Sequence, residues 1–231
     1  MSARPVPVPE TCSALYAVLT PKPLDREDHL ELPTVAMLKH NGTSEAGIKR
    51  FQAAKHQYIL SCEAAPEAMA DALLDLRVTA LTLAEKNKGI VVDLLSPRVL
   101  ELQADQVSLE AAGQWFVLDY DRIDERVLVT DGLERFGLPE VACRGVNREA
   151  HAMYGAVLTG LAHRLIAEWP TNDPVGRATV TLRDIAYGLG DAEASSTPND
   201  RAIEVDIDYD PIDHLLVVTL DGDPASLLFA P

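Results

Sequence analysis

Residues 66–102 read PEAMADALLDLRVTALTLAEKNKGIVVDLLSPRVLEL, and this stretch decides the fold class. Met69, Leu73, Leu76, Ala80 and Leu83 recur at a 4-3-4-3 spacing, which is one stripe of an amphipathic helix. Pro66 suits a first helical position. Glu67, Asp71 and Asp75 lie near the start, and Lys86 and Lys88 lie at the end. Both placements complement the helix dipole, and Gly89 suits the left-handed stop. The period then changes. Residues 90–95 and 98–102 read as strands around Ser96-Pro97. A long helix followed by strands with short links predicts antiparallel pairing and an α+β fold.

Upstream, residues 13–20 are apolar on both alternating faces, the pattern of a central strand. Pro21 and Pro23 are expected to end it. Residues 1–11 are Pro-rich and read as extended. Asn41-Gly42 marks a turn, and residues 57–62 read as a second strand. Downstream the order recurs loosely. Residues 114–120 and 126–130 read as strands. Asp131 followed by Glu134 resembles a capping box for a short helical turn closed by Gly137. Residues 139–144 form a short strand. Asn147 is placed to cap a second long helix through Trp169, with the stripe Tyr154, Leu158, Leu161 and Leu165. Residues 177–182 read as a strand, residues 188–200 as the most mobile interior loop, and residues 202–209 and 215–220 as strands. The expected architecture is two long amphipathic helices packed on mainly antiparallel sheet. Its strand-helix-strand halves, residues 1–112 and 113–231, form either two similar units or one compact domain.

The chain has 231 residues, 47% hydrophobic and 24% charged. These values exclude a mainly disordered chain, a collagen and a coiled-coil rod. The unusual property is charge: 20 Lys and Arg stand against 36 Asp and Glu, a net charge of −16. The first 50 residues are balanced, whereas residues 151–231 carry 4 basic and 13 acidic groups. Nucleic-acid affinity rests on cations that neutralise phosphates, so a nucleic-acid partner is excluded. An anionic membrane surface is disfavoured for the same reason. A basic protein partner fits best. Residues 1–9, broken by Pro5, Pro7 and Pro9, do not read as a secretory signal. The apolar run at 68–84 is interrupted by Asp71, Asp75 and Arg77, so no membrane span is expected. Cys12, Cys62 and Cys143 are widely spaced and odd in number, which points to buried thiols in a reducing compartment, the cytoplasm.

The sharpest local feature is Glu204-Val-Asp-Ile-Asp-Tyr-Asp210. In a strand, Glu204, Asp206, Asp208 and Asp210 share one face, opposite Ile203, Val205, Ile207 and Tyr209. Four like charges in a row must be solvated, paired or bound. A solvated outer face that discourages edge aggregation is one reading. A binding face for a basic partner is another, and these four acids are its candidate residues; a cation site is a third. The start of a calcium loop is mimicked, but Pro211 replaces the required Gly and Val217 the bidentate Glu.

His151 and His163 lie off one helical face, so they are not a ligand pair. Cys62 and His56 are about 20 Å apart on an extended strand, too far for a dyad. Cys62 and Cys143, Trp115 and Trp169 read as core residues. No zinc pair, Walker loop, dinucleotide fingerprint or nucleophile elbow occurs. No catalytic residue, metal ligand or cofactor is expected.

Two stretches carry a resemblance. One is Lys88-Gly89-Ile-Val-Val-Asp93 with Ser96-Pro97-Arg98-Val99. The other is Thr130-Asp-Gly132-Leu133-Glu-Arg-Phe136-Gly137-Leu-Pro139-Glu140. Across residues 55–170 the chain resembles uncharacterised bacterial domains of the DUF4261 kind. The resemblance implies a bacterial, intracellular α+β protein and no particular reaction. Bottom-up, Gly132, Gly137 and Pro139 are turn and cap residues. Phe136 is a core plug and Glu140 a cap or surface partner.

The function expected is that of a non-catalytic acidic binding protein, in specific form an immunity-type inhibitor that neutralises a basic partner such as a toxin. The alternative is an enzyme whose carboxylate or metal site is assembled from non-local residues. An assembly subunit is a third class, and the oligomeric state is not legible.

Overall fold

The computed structural model describes residues 14–23, 32–120 and 126–229. The chain divides into two compact units, Met1–Val107 and Ser108–Pro231. Both mix helix and sheet, and the fold is α+β.

The first unit runs β1 (Ala14–Pro23), α1 (Val35–His40), α2 (Glu45–Ala53), β2 (His56–Glu63), α3 (Met69–Lys86), β3 (Val91–Asp93) and β4 (Arg98–Leu100). Among the described residues β1 pairs only with β2, in an antiparallel two-stranded sheet. The strand expected to be central is therefore not central. It also continues through Pro21 to Pro23, with a register shift between Val18 and Lys22. In a two-stranded ribbon each strand has an open edge, so a proline without an N–H is tolerated there. α1 and α2 are too short to print a stripe, and their signals are caps. The Thr34 and Ser44 hydroxyls accept from the amides of Met37 and Gly47, at 3.2 and 3.0 Å.

α3 confirms the long helix but turns its face. Its buried residues are Ala72, Leu73, Arg77 and Leu81, so of the expected stripe only Leu73 is fully covered. Arg77 takes a place in the buried stripe because Asp93 of β3 receives it. The helix stop also differs. Lys88 is the left-handed residue, at φ 55°, and Gly89 follows it.

The second unit runs β5 (Val117–Tyr120), β6 (Val127–Asp131), β7 (Glu140–Arg144), α4 (His151–Glu168), β8 (Gly176–Thr181), α5 (Leu182–Leu189), β9 (Ala202–Asp210), β10 (Leu215–Leu220) and α6 (Pro224–Leu227). Its strands form one six-stranded sheet in the order β5-β6-β7-β10-β9-β8. Every neighbouring pair is antiparallel except β7 and β10. α4 packs on β6, β7 and β8, and α6 packs on α4 and β9. The core they enclose includes Leu128, Val141, Leu158, Val205, Ile207 and Leu216. Trp115, 1% exposed, meets Phe136 edge-on at 5.6 Å.

Residues 188–200 are not a plain loop. α5 extends into them, opened by a capping box between Thr181 and Asp184 and closed by left-handed Gly190. α5 lies very close to α4: a Cβ on Gly188 would stand 2.5 Å from the Thr159 carbonyl oxygen. The two units also differ in topology, one with two separate two-stranded sheets and the other with a single mixed sheet. Among the described residues no helix is long and apolar enough to cross a membrane.

Candidate functional site

β9 alternates as its sequence requires. Ile203, Val205 and Ile207 are buried, and Glu204, Asp206 and Asp208 are exposed. Alternate residues of a strand lie about 7 Å apart. At that distance two full charges repel by about 0.6 kcal/mol in water, so a solvated row is tolerable. The row is not an edge device, because β9 lies between β10 and β8. Edge protection therefore does not explain it.

The neighbouring strands partly neutralise the row. Arg177 faces Asp206 across the β8–β9 register. Its guanidinium is 3.3 Å from Asp206 and 3.5 Å from Asp221. The Thr179 hydroxyl donates to Glu204 at 2.7 Å. Asp208 has no partner among the described residues.

Asp210 departs from expectation. It is half-buried and belongs to the β9–β10 turn rather than to the open row. Its Oδ1 accepts from the amides of Ile212 and Asp213, at 2.9 and 3.3 Å. Arg144, at the end of β7, bridges its Oδ2 and the Asp213 carboxylate at 2.9 and 2.7 Å. Bonds from the Ile212 amide, Arg144 and the Asp213 amide hold its carboxyl below the usual carboxylate range.

The face thus gathers Glu204, Asp206, Asp208, Asp210, Asp213 and Asp221 around Arg144 and Arg177. Sequence reasoning missed both arginines and both added acids. Arg177 and Asp221 flank the row only through strand order, and Arg144 arrives from a strand 66 residues away. The second unit as a whole holds 22 acidic and 9 basic groups, so most of the chain's negative charge is there.

A second carboxylate group lies across β5, β6 and β7. Burial raises the Asp131 carboxyl to about 6, reinforced by Glu140, Asp119 and Glu134. Glu140 serves as the cap expected of it. It accepts from the amides of Gly132 and Glu134 at 2.8 and 3.1 Å and from the Thr130 hydroxyl at 2.6 Å. This replaces the expected Asp131–Glu134 capping box: the turn Leu133–Phe136 begins at Gly132 with no side-chain cap from its own N-terminus.

The remaining candidates are structural. His163 Nδ1 donates to the Glu110 carbonyl, 2.9 Å away, and the ring stacks on Tyr187. Cys143 is a core residue, and burial pushes its thiol up to about 11, far from a reactive thiolate. Cys62 is only half-buried. Trp169 is half-buried, lining a surface groove instead of anchoring the core. Cys12, and the side chain of His56, lie outside the described residues. Among the described residues no group of three or more His, Cys, Asp and Glu is arranged to hold a metal. Comparison with protein-family models, curated proteins and solved structures finds no match.

Proposed function

We propose that this chain is a non-catalytic binding protein that recognises a basic protein through the acidic face of β9, in the manner of an immunity-type inhibitor. The observation that carries the reading is the exposed, internal row Glu204, Asp206 and Asp208. It sits among six carboxylates with two guanidiniums. Such a face steers a cationic partner by long-range attraction and rejects anionic ones. Arg177 pairs with Asp206 and Asp221, and Arg144 with Asp210 and Asp213, so these acids meet the partner partly ordered, while Asp208 stays open to it. The proposal includes the resemblance to DUF4261-type bacterial domains and a cytoplasmic setting.

Immobilised protein is offered a bacterial lysate at low and moderate salt, beside a Glu204→Gln, Asp206→Asn, Asp208→Asn variant. The reading expects a stoichiometric basic protein retained by the wild type and lost by the variant. It also expects that protein's activity to fall on titration with the wild type. Equal retention by both proteins, or no basic protein at low salt, overturns it.

A carboxylate enzyme is the second reading, and Asp131 favours it. A carboxyl held near 6 is poised for proton transfer close to neutral pH. A thermal shift with calcium, magnesium or manganese that Asp131→Asn abolishes would support its cation-dependent form. No shift with any of the three removes that form.

A further inference from the structure

In the second unit's sheet, β6 and β10 put apolar residues on both alternating faces. That pattern belongs to strands covered on both sides. One side has its cover. A Cβ on Gly155 of α4 would stand 2.8 Å from Leu118 and 3.9 Å from Leu128, and α5 and α6 both pack beside α4. These three helices leave the opposite face, which carries Val127, Val129, Ala142, Leu215, Val217 and the acidic row. An apolar patch rimmed by charge on an otherwise open face marks an interaction site.

Register sets the order of charge across it. Asp119, Val129, Ala142, Val217 and Asp208 are successive partners through β5, β6, β7, β10 and β9. The line is charged at both ends and apolar between them. Val129 and Val217 are half-buried, and Ala142 between them is 0% exposed, the floor of a trough. Exposed Glu204 and Asp206 continue the Asp208 end along β9. The charged ends of β7 are engaged at the margins: Glu140 holds the Leu133–Phe136 turn, and Arg144 bridges Asp210 and Asp213.

We propose that this trough docks an amphipathic α-helix of the basic partner, apolar beneath and cationic on both flanks; the inference rests on the acidic face proposed above and names the segment that face holds. Width and symmetry select a helix. Four strand spacings separate Asp119 from Asp208, about 19 Å. A helix is about 10–12 Å across with its side chains. Lying along the strands, it covers the valines, and lysines or arginines on its two flanks extend outward to the carboxylates at either end. A helix can present an apolar stripe with cations on both sides of it. An extended segment has only two faces, so with its apolar face on the sheet its cations point away.

The test titrates the ¹⁵N-labelled full chain with acetylated, amidated peptides of about 18 residues, long enough to hold a helix. The first has a leucine stripe with lysines on both sides of it. The second moves the lysines to the side opposite the stripe. The third scrambles the first, and the fourth places a proline at its centre. The first peptide is expected to move the amides of Val129, Ala142, Val217 and Asp208 saturably while those of α5, on the covered side, stay still. It should bind about fivefold tighter than the second, whose cations miss the carboxylates, and about tenfold tighter than the fourth, whose helix is broken. Val217→Thr keeps the branched shape and should weaken the first peptide about threefold by removing apolar contact. The inference is overturned if the second, third or fourth peptide binds as tightly as the first, or if the shifts fall outside β5, β6, β7, β10 and β9. A scrambled peptide that binds equally, and is lost by the Glu204→Gln, Asp206→Asn, Asp208→Asn variant, overturns the helix and leaves the acidic face standing. Silence from all four at millimolar peptide also overturns the helix alone, because the proposed function is decided by the lysate capture.

Discussion

Arg77 Nη2 lies 2.7 Å from Asp93 Oδ2, and the two side chains are only 5% and 7% exposed. The pair ties α3 to the β3–β4 hairpin. The other Asp93 oxygen accepts from the Leu95 and Ser96 amides, at 3.1 and 3.3 Å, so one carboxylate holds both the helix face and the turn. Breaking such a pair leaves a buried charge uncompensated, at a cost of about 3–5 kcal/mol. Asp93→Ala should lower the urea midpoint by a corresponding amount. The double variant Arg77→Met, Asp93→Ala should recover part of the loss, because no lone guanidinium then stays buried. If Asp93→Ala costs less than about 1 kcal/mol, the pair is not what sets the face of α3.

Glu140 offers a second stability test. Its carboxylate joins β7 to the Leu133–Phe136 turn through the amides of Gly132 and Glu134 and the Thr130 hydroxyl. Hydrogen bonds to a charged acceptor contribute about 1.5–3 kcal/mol. Glu140→Ala should cost about 2–3 kcal/mol by denaturant unfolding. Glu140→Gln keeps an acceptor and should cost less.

Asp131 predicts a pH dependence. Its carboxyl titrates at about 6 in the folded chain against 3.8 ordinarily. Between those values the folded state binds more protons than the unfolded state, so stability falls as pH rises from about 4 to 6. Above 6 the full penalty is present. Asp131→Asn should remove it, leaving the protein about 1 kcal/mol more stable at pH 7 once solvent screening is allowed for. The gain should vanish near pH 4. Thermal unfolding of both proteins across this range checks the sign.

Arg177 separates stability from recognition. Its ion pairs to Asp206 and Asp221 are exposed, and such pairs contribute about 0–1 kcal/mol. Arg177→Ala should barely move the unfolding midpoint. It should, however, make the face more negative and speed association with a cationic protein at low salt. Stopped-flow association rates against ionic strength measure this, and an unchanged rate would separate the acidic row from steering.

Gly188 tests the α4–α5 contact. A Cβ there would press on the backbone of Thr159, 2.5 Å from its carbonyl oxygen. Backbone yields less than a side-chain tip, so Gly188→Ala should cost about 1–3 kcal/mol. An unchanged melting temperature would mean that α5 moves freely away from α4.

The sequence by itself determined whatever depends on neighbours along the chain. The two long helices follow from the 3.6-residue period, and the burial of Ile203, Val205 and Ile207 opposite Glu204, Asp206 and Asp208 follows from the period of two. The turn at Gly137 follows from the one residue without a Cβ. Short elements escaped, because α1, α2 and α5 are held by caps and packing more than by periodicity. Tertiary structure alone decided how those pieces meet. Arg77 could be seen to lie in the buried face only once Asp93 was placed beside it. The acidic row could be seen to be internal only once β8 and β10 flanked β9. Arg144 and Arg177 joined the row through strand order and register, which bring residues together across distances that local sequence does not encode. The apolar trough is of the same kind: Val129, Ala142 and Val217 form one line only because β6, β7 and β10 lie side by side in the sheet.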